Sequence, residues 1–253
     1  MELSGISAVV TGAASGLGAA TVAELDGRGV RVLGLDLEAG LEKLGEARVS
    51  GADYAAADVT SEEDVTNALA RLDGAAPLRL VVNCAGIAPA KRVLSSSGPH
   101  PLELFRRTIE VNLIGTFNVL RLAAARMAET EADAEGQRGL IVNTASVAAY
   151  EGQIGQAAYS ASKGGVVGLT ITAARDLSRN GIRVCTIAPG IVDTPMLAGL
   201  GEEVRDSLAA GVPFPKRLAR PAEYAQLVVM LAQHDYLNGE TIRMDAALRM
   251  APQ

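Results

Sequence analysis

Thr11-Gly12-Ala13-Ala14-Ser15-Gly16-Leu17-Gly18 stands between an apolar, β-branched run at residues 6–11 and a stretch of helical spacing at residues 17–28. A glycine-rich passage from strand into helix lets the backbone approach a pyrophosphate closely. The first helical turn there offers free amide donors and the positive end of its dipole. Glycine is common at strand–helix turns, so the rest of the chain decides the meaning. Working outward, residues 31–35, 52–57, 78–83, 140–144, 183–188 and 241–244 read as further strands. Residues 61–72, 104–127, 159–179 and 221–232 show helical spacing, and Thr60-Ser61-Glu62-Glu63 resembles a capping box. This alternation predicts a Rossmann-type, doubly wound α/β fold: a seven-stranded parallel sheet with helices on both faces, in a single domain over 1–253. There is no internal repeat beyond the alternation and no low-complexity linker.

Composition agrees with that architecture. The chain has 253 residues, 49% of them hydrophobic, with no Trp and three Phe, so its core must be built from aliphatic side chains. The 27 glycines exceed the roughly 7 per cent typical of proteins and imply many tight turns. A formal charge of -6, with no basic cluster, argues against a general nucleic-acid or membrane-surface binder. Cys84 and Cys185 fall within apolar runs and are expected to be core thiols rather than a disulfide. The N-terminus runs straight into a strand without a charged leader or long apolar segment, so a soluble, cytoplasmic protein is expected, with no membrane partner and no metal.

Two side-chain arrangements carry chemistry. Asp36 closes the second strand, where an acidic side chain can accept from the hydroxyls of an adenosine ribose and repel a 2′-phosphate, which favours NAD over NADP; a solvated turn Asp is the alternative. Asp58 and Val59, after the third strand, either meet adenine or simply close a turn. Tyr159 and Lys163, four apart at the start of a helical stretch, share one face. A phenol titrates at about 10, and a neighbouring ammonium would lower that value and ready the oxygen to take an alcohol proton. Alone, such a pair is commonly a surface coincidence.

The combination is more specific. TGAASGLG (11–18), NCAG (83–86), Asn112 in a helical stretch, Ser146 after a strand, the Tyr159/Lys163 pair and Pro189-Gly190 occur in the order found in the short-chain dehydrogenase/reductase family, which the chain resembles over essentially its whole length. Longer matches to that family's type II 3-hydroxyacyl-CoA dehydrogenase branch, also described as 17β-hydroxysteroid dehydrogenases, are VNLIGTFNVLRL (111–122), GQRGLIVNTASVAAYEGQIGQAAYSASKGG (136–165), GIRVCTIAPG (181–190), VPFPKRL (212–218) and LNGETIRMDAALRM (237–250). The resemblance implies an NAD-dependent oxidation of a secondary alcohol. In it Tyr159 is the acid/base, Lys163 lowers its pKa and holds the nicotinamide ribose, Ser146 bonds the substrate oxygen, and Asn112 anchors a water of a proton relay. It further implies cofactor contacts from Gly12, Ser15, Gly16, Leu17, Gly18, Asp36, Asp58, Val59, Cys84, Ala85, Gly86, Pro189, Gly190, Ile191 and Thr194. Gln153 and Gln156 are candidate substrate contacts, and a homotetramer is implied, with helices around 104–127 and 159–179 at one interface.

The expected substrate is a (3S)-3-hydroxyacyl-CoA of short to medium length, with CoA crossing two unassigned loops, 91–101 and 191–215, the second with a possible short helix among Pro195, Pro213 and Pro215. Lys91 and Arg92 are either phosphate contacts or, as the more common case, a solvated surface pair. A carrier-protein, steroid or simple ketone reductase on the same fold is the alternative, as is a non-catalytic scaffold. Two departures from the family pattern stand out. Cys84 replaces a common Asn, and Asp245-Ala246-Ala247 lacks the glycine usual after that Asp, which puts local packing in question.

Overall fold

The computed structural model describes residues 1–74, 76–198 and 201–252. Residues 75 and 253 of the predicted domain, and 199–200 of the predicted 191–215 loop, lie outside the described residues. The strands are β1 (Ser7–Thr11), β2 (Arg31–Asp36), β3 (Asp53–Ala56), β4 (Leu78–Asn83), β5 (Gly139–Thr144), β6 (Ile182–Pro189) and β7 (Thr241–Met244). They form one sheet in the order β3-β2-β1-β4-β5-β6-β7, parallel at every pairing. The chain moves outward from β1 to β3, then returns to the other side of β1. That reversal opens a crevice at the carboxyl ends of β1 and β4, where ligands settle on such sheets.

Alternate strand residues enter opposite layers, because successive side chains of a strand point to opposite faces. Val9, Val81, Ile141 and Val184 pack under α3 (Glu62–Ala70), α5 (Thr116–Ala128) and α6 (Ala157–Leu177). Val10, Val82, Val142 and Cys185 pack under α1 (Gly16–Asp26) and α9 (Pro221–Gln233). Burial on both faces is what made the strands legible as continuous apolar runs.

Two local expectations are corrected. The helix predicted over 104–127 is α4 (Leu102–Ile109), a π-turn (Glu110–Gly115) and then α5. The extra residue in that turn brings Asn112 onto the Ile87 backbone, Nδ2 donating to Ile87 O at 2.9 Å and Oδ1 accepting from Ile87 N at 2.8 Å. The capping residue of α3 is Ser61, not Thr60; it accepts from Asp64 N at 3.1 Å, while the Asp64 carboxylate turns back to Asp58 N at 2.9 Å. The two unassigned segments have structure: 91–101 holds a hairpin pairing Leu94–Ser95 with Gly98–Pro99, and 191–215, where the sequence allowed a short helix, holds α7 (Pro195–Ala198) and α8 (Glu202–Ala210). A further short helix, α2 (Glu38–Leu44), follows β2 and had no sequence signal strong enough to predict it.

The missing glycine after Asp245 has a conformational consequence. Ala246 and Ala247 adopt φ of 50° and 63°, the left-handed region that L side chains enter only with strain. Hydrogen bonds hold them there, Asp245 Oδ1 accepting from Ala247 N at 3.1 Å and Asp245 O from Leu248 N at 2.9 Å. Ala246→Gly should therefore stabilise the fold by about 1 kcal/mol, which thermal unfolding would register as a rise of about 2–4 °C. A fall in Tm would mean that the alanine methyl packs better than the backbone strain costs.

Candidate active site

The crevice is a cleft of about 590 Å³. At its nucleotide end the octapeptide turns against the start of α1 as the sequence suggested. A Cβ on Gly12 would come within 2.9 Å of Ala85 N, and one on Gly18 within 2.0 Å of Gly12 O, so the turn is as tight as backbone allows. The Ser15 side chain makes no capping bond and the first turn of α1 holds no acidic residue, which leaves that helix end suited to a phosphate. Asp36 is fixed by two amides, Ala14 N to Oδ2 and Leu37 N to Oδ1, both 2.8 Å, and borders the cleft with Gly12, Ser15, Gly16 and Leu17. Asp58 and Val59 form the wall beside it. Burial pushes the Asp58 carboxyl up, but the Thr60 amide (2.9 Å) and hydroxyl (2.7 Å), with Arg107 at 3.8 Å, outweigh it and hold the group below the ordinary aspartate range.

At the other end Cys84, Ala85 and Gly86 leave β4, and Pro189, Gly190, Ile191 and Thr194 leave β6, to line the same cleft. Ser146 begins a short 3₁₀ turn after β5, its Oγ accepting from Ala148 N at 3.1 Å. Tyr159 and Lys163 project from the first turns of α6, Lys163 Nζ lying 5.8 Å from the phenol ring centroid. Gln153 and Gln156 also line the cleft and face each other, Gln156 Oε1 accepting from Gln153 N at 3.0 Å. Asn112 does not reach the wall. It is fully buried, and besides Ile87 its amide donates to Ser162 Oγ at 3.0 Å, whose hydroxyl donates to Tyr159 O at 2.7 Å. Asn112 thereby ties the β4 exit to the turn that carries Tyr159.

The sequence reading expects a depressed phenol with an oxidised nicotinamide nearby; the electrostatics of the protein alone are these. Burial raises the Tyr159 phenol above its usual value, with the Ser146 hydroxyl pulling the other way. Burial lowers Lys163 to about 8, with Cys84 opposing. In the protein alone, desolvation of the phenolate therefore outweighs the help of the Ser146 hydroxyl. A phenol ready at neutral pH needs a further positive charge in the cleft.

The model of the short chain dehydrogenase family matches residues 7–205. The chain belongs to the short-chain dehydrogenase family. It is 54% identical to the 3-hydroxyacyl-CoA dehydrogenase type-2 of Homo sapiens, over 99% of this chain and 98% of that protein. It is 52% identical to the enzyme of that name from Drosophila melanogaster, over 96% and 97%. The crystal structure of 3-hydroxyacyl-CoA dehydrogenase type-2 from Mycobacterium avium superimposes with a TM-score of 0.93 at 45% identity, covering 98% of both chains. This short-chain dehydrogenase is thus an oxidoreductase of a family that works with nicotinamide cofactors, and the close glycine turn, the open helix end and the fixed Asp36 fit such a dinucleotide.

Sequence reasoning missed several walls of the dehydrogenase cleft. Leu197 and Leu208, from α7 and α8, line its substrate side, and so does Met250. The tail reaches there because Glu151 accepts from Arg243 at 2.8 and 3.2 Å and from Met250 N at 3.0 Å, while Gln153 Nε2 donates to Ala251 O at 3.0 Å. Burial opposes, but the Arg243 bond leads in holding the Glu151 carboxyl below its ordinary range. Arg107 lines the nucleotide end, and the adjacent pair Arg106-Arg107 was its available signal. Lys91 and Arg92, by contrast, are not among the lining residues. Lys91 Nζ donates to Ser97 Oγ at 3.1 Å, and Lys91 N donates to Gly155 O at 2.8 Å, between the cleft-lining Gln153 and Gln156.

Proposed function

We propose that the protein oxidises a (3S)-3-hydroxyacyl-CoA to the 3-oxoacyl-CoA with NAD. The observation that carries this reading is the convergence of Tyr159, Ser146 and Lys163 on one cleft with a nucleotide groove ending at Asp36. Bound nicotinamide supplies the hydride acceptor and a positive charge. Tyr159, as phenolate, takes the carbinol proton while Ser146 donates to the same oxygen as it becomes a carbonyl. Lys163 supports the phenolate and would hold the ribose of a bound nicotinamide. Asn112 acts by position, through Ile87 and the Ser162 bridge. Its Oδ1 retains one lone pair for a relay water.

Asp36 favours NAD because its carboxylate, already oriented by Ala14 and Leu37, can accept from both ribose hydroxyls and repels an added phosphate. Asp36→Ala should narrow the kcat/KM ratio of NAD over NADP at least about tenfold, or about 1.4 kcal/mol. An unchanged ratio would move the discrimination elsewhere.

Gln153 and Gln156 offer amides to a thioester carbonyl, and Leu197, Leu208 and Met250 an apolar wall to an acyl chain. On the substrate side the lining holds no cation besides Lys163 among the described residues, so recognition of CoA rests on the thioester and its amide arm rather than on its phosphates. The exposed apolar residues Leu102, Ile114 and Phe117 on α4, the π-turn and α5, with Ile171 on α6, suit the helix faces of a homotetramer. Two free thiols suit a reducing cytoplasm, and among the described residues no helix is long and apolar enough to cross a membrane. The substrate is tested by comparing kcat/KM for 3-hydroxyacyl-CoA thioesters, free 3-hydroxy acids, steroids and simple alcohols. Thioesters should lead by orders of magnitude, and equal efficiency with free acids or simple alcohols would remove CoA from the account.

A further inference from the structure

Beneath Lys163 lies a buried polar cluster that the reaction does not use. Lys163 Nζ donates to the carbonyl oxygen of Thr144, the last residue of β5, at 2.6 Å. The Thr144 hydroxyl shares a 2.7 Å hydrogen bond with Tyr224 Oη. The Cys84 thiol completes the group, 3.7 Å from Tyr224 Oη and 3.9 Å from Thr144 Oγ1. Tyr224 comes from α9, across the sheet from the helix that carries Lys163, and is fully buried. Phenylalanine would fill the same space without burying a hydroxyl. What the hydroxyl adds is a fixed partner for Thr144.

We propose that Tyr224 is a positioning residue: through Thr144 it steadies the carbonyl that holds the Lys163 ammonium in the cleft. The ionisable groups facing that ammonium are the Tyr159 phenol, one turn away on α6, and the Cys84 thiol at the end of β4, with the Tyr224 phenol one residue removed. Burial raises all three above their usual values, so at neutral pH none brings a negative charge to Lys163. The Thr144 carbonyl dipole is then the acceptor that keeps the buried ammonium charged. Lys163, lowered to about 8, sits where the loss of that support changes its charge near neutral pH. The inference deepens the proposed reaction, in which Lys163 supports Tyr159, yet its test needs no substrate.

The chain has only four lysines, Lys43, Lys91, Lys163 and Lys216, so carbon-13-labelled lysine resolves each titration by NMR in the free protein. In Tyr224→Phe the Lys163 midpoint should fall by about half a pH unit, a roughly threefold weaker proton affinity. Thr144→Val, which removes the same link from its other end, should shift it equally, and the double variant no further. Thr144→Ser keeps carbonyl and hydroxyl and should titrate like the wild type. An unmoved midpoint in folded Tyr224→Phe, with only Tm lowered, would overturn the proposal, as would a shift in Thr144→Ser as large as in Thr144→Val. Should Tyr224→Phe fail to fold, an unmoved midpoint in Thr144→Val overturns it equally. A wild type inactive on acyl-CoA substrates would instead sink the proposed reaction and leave this titration standing.

Discussion

Tyr159→Phe should lower kcat about a thousandfold or more while leaving Tm and NAD affinity close to those of the wild type. The substitution removes one oxygen and little volume from a ring held at the start of α6. The turn itself is fixed through the backbone, by Ser162 Oγ donating to Tyr159 O and Asn112 donating to Ser162. Geometry therefore survives while the proton acceptor is lost. Ser146 cannot replace it, since an aliphatic hydroxyl is a far weaker acid than a phenol and its Oγ already accepts from Ala148 N. Because burial holds the phenol above its ordinary value in the free protein, the wild-type phenol should titrate lower in the binary complex with the oxidised cofactor than alone. Steady-state kinetics and an ultraviolet titration read the two effects. Retention of about half the activity by Tyr159→Phe would mean that another group moves the proton.

Gly18→Ala should abolish detectable cofactor binding and destabilise the fold by about 3 kcal/mol. The added methyl would sit 2.0 Å from Gly12 O and 2.6 Å from Gly12 C, and both are backbone atoms that cannot turn aside like the end of a flexible side chain. Relief requires α1 to withdraw from β1. That movement opens the phosphate turn and drags Ala14, whose amide holds Asp36, away from the groove. Calorimetric titration with NAD and thermal unfolding measure the two consequences. A variant with wild-type affinity would show that the turn is looser than its contacts indicate.

Much of this architecture was legible because parallel strands buried on both faces leave apolar-rich runs such as Leu78–Asn83 and Ile182–Pro189, broken by few polar residues. The cleft-forming residues were legible because they stand at strand exits, where a sequence motif and a position in the fold coincide. Asn112 was recognised, but its π-turn was not: a single inserted residue shifts the spacing by one position within a stretch that still reads as helical, and its result, a contact with Ile87, lies 25 positions away. Met250 was missed for a similar reason. Its place in the cleft depends on the Arg243–Glu151 pair, which joins positions 92 apart. Spacing put Lys163 beside Tyr159 but could not show that Lys163 would be buried and Tyr159 partly so, and this desolvation sets the direction in which each titrates. On the hairpin arm the bland reading of a basic pair, a solvated surface, fits the structure better than a phosphate contact, since neither Lys91 nor Arg92 lines the cleft.

The most direct measurement follows one hydrogen. A (3S)-3-hydroxyacyl-CoA carrying deuterium on its carbinol carbon is incubated with the protein and NAD, and the nicotinamide product and the solvent are examined by mass spectrometry. The account predicts that deuterium appears in NADH, one atom for each 3-oxoacyl-CoA formed, and that Tyr159→Phe suppresses the transfer. Deuterium released to water, or NAD left unreduced while wild-type protein binds both ligands, would contradict it.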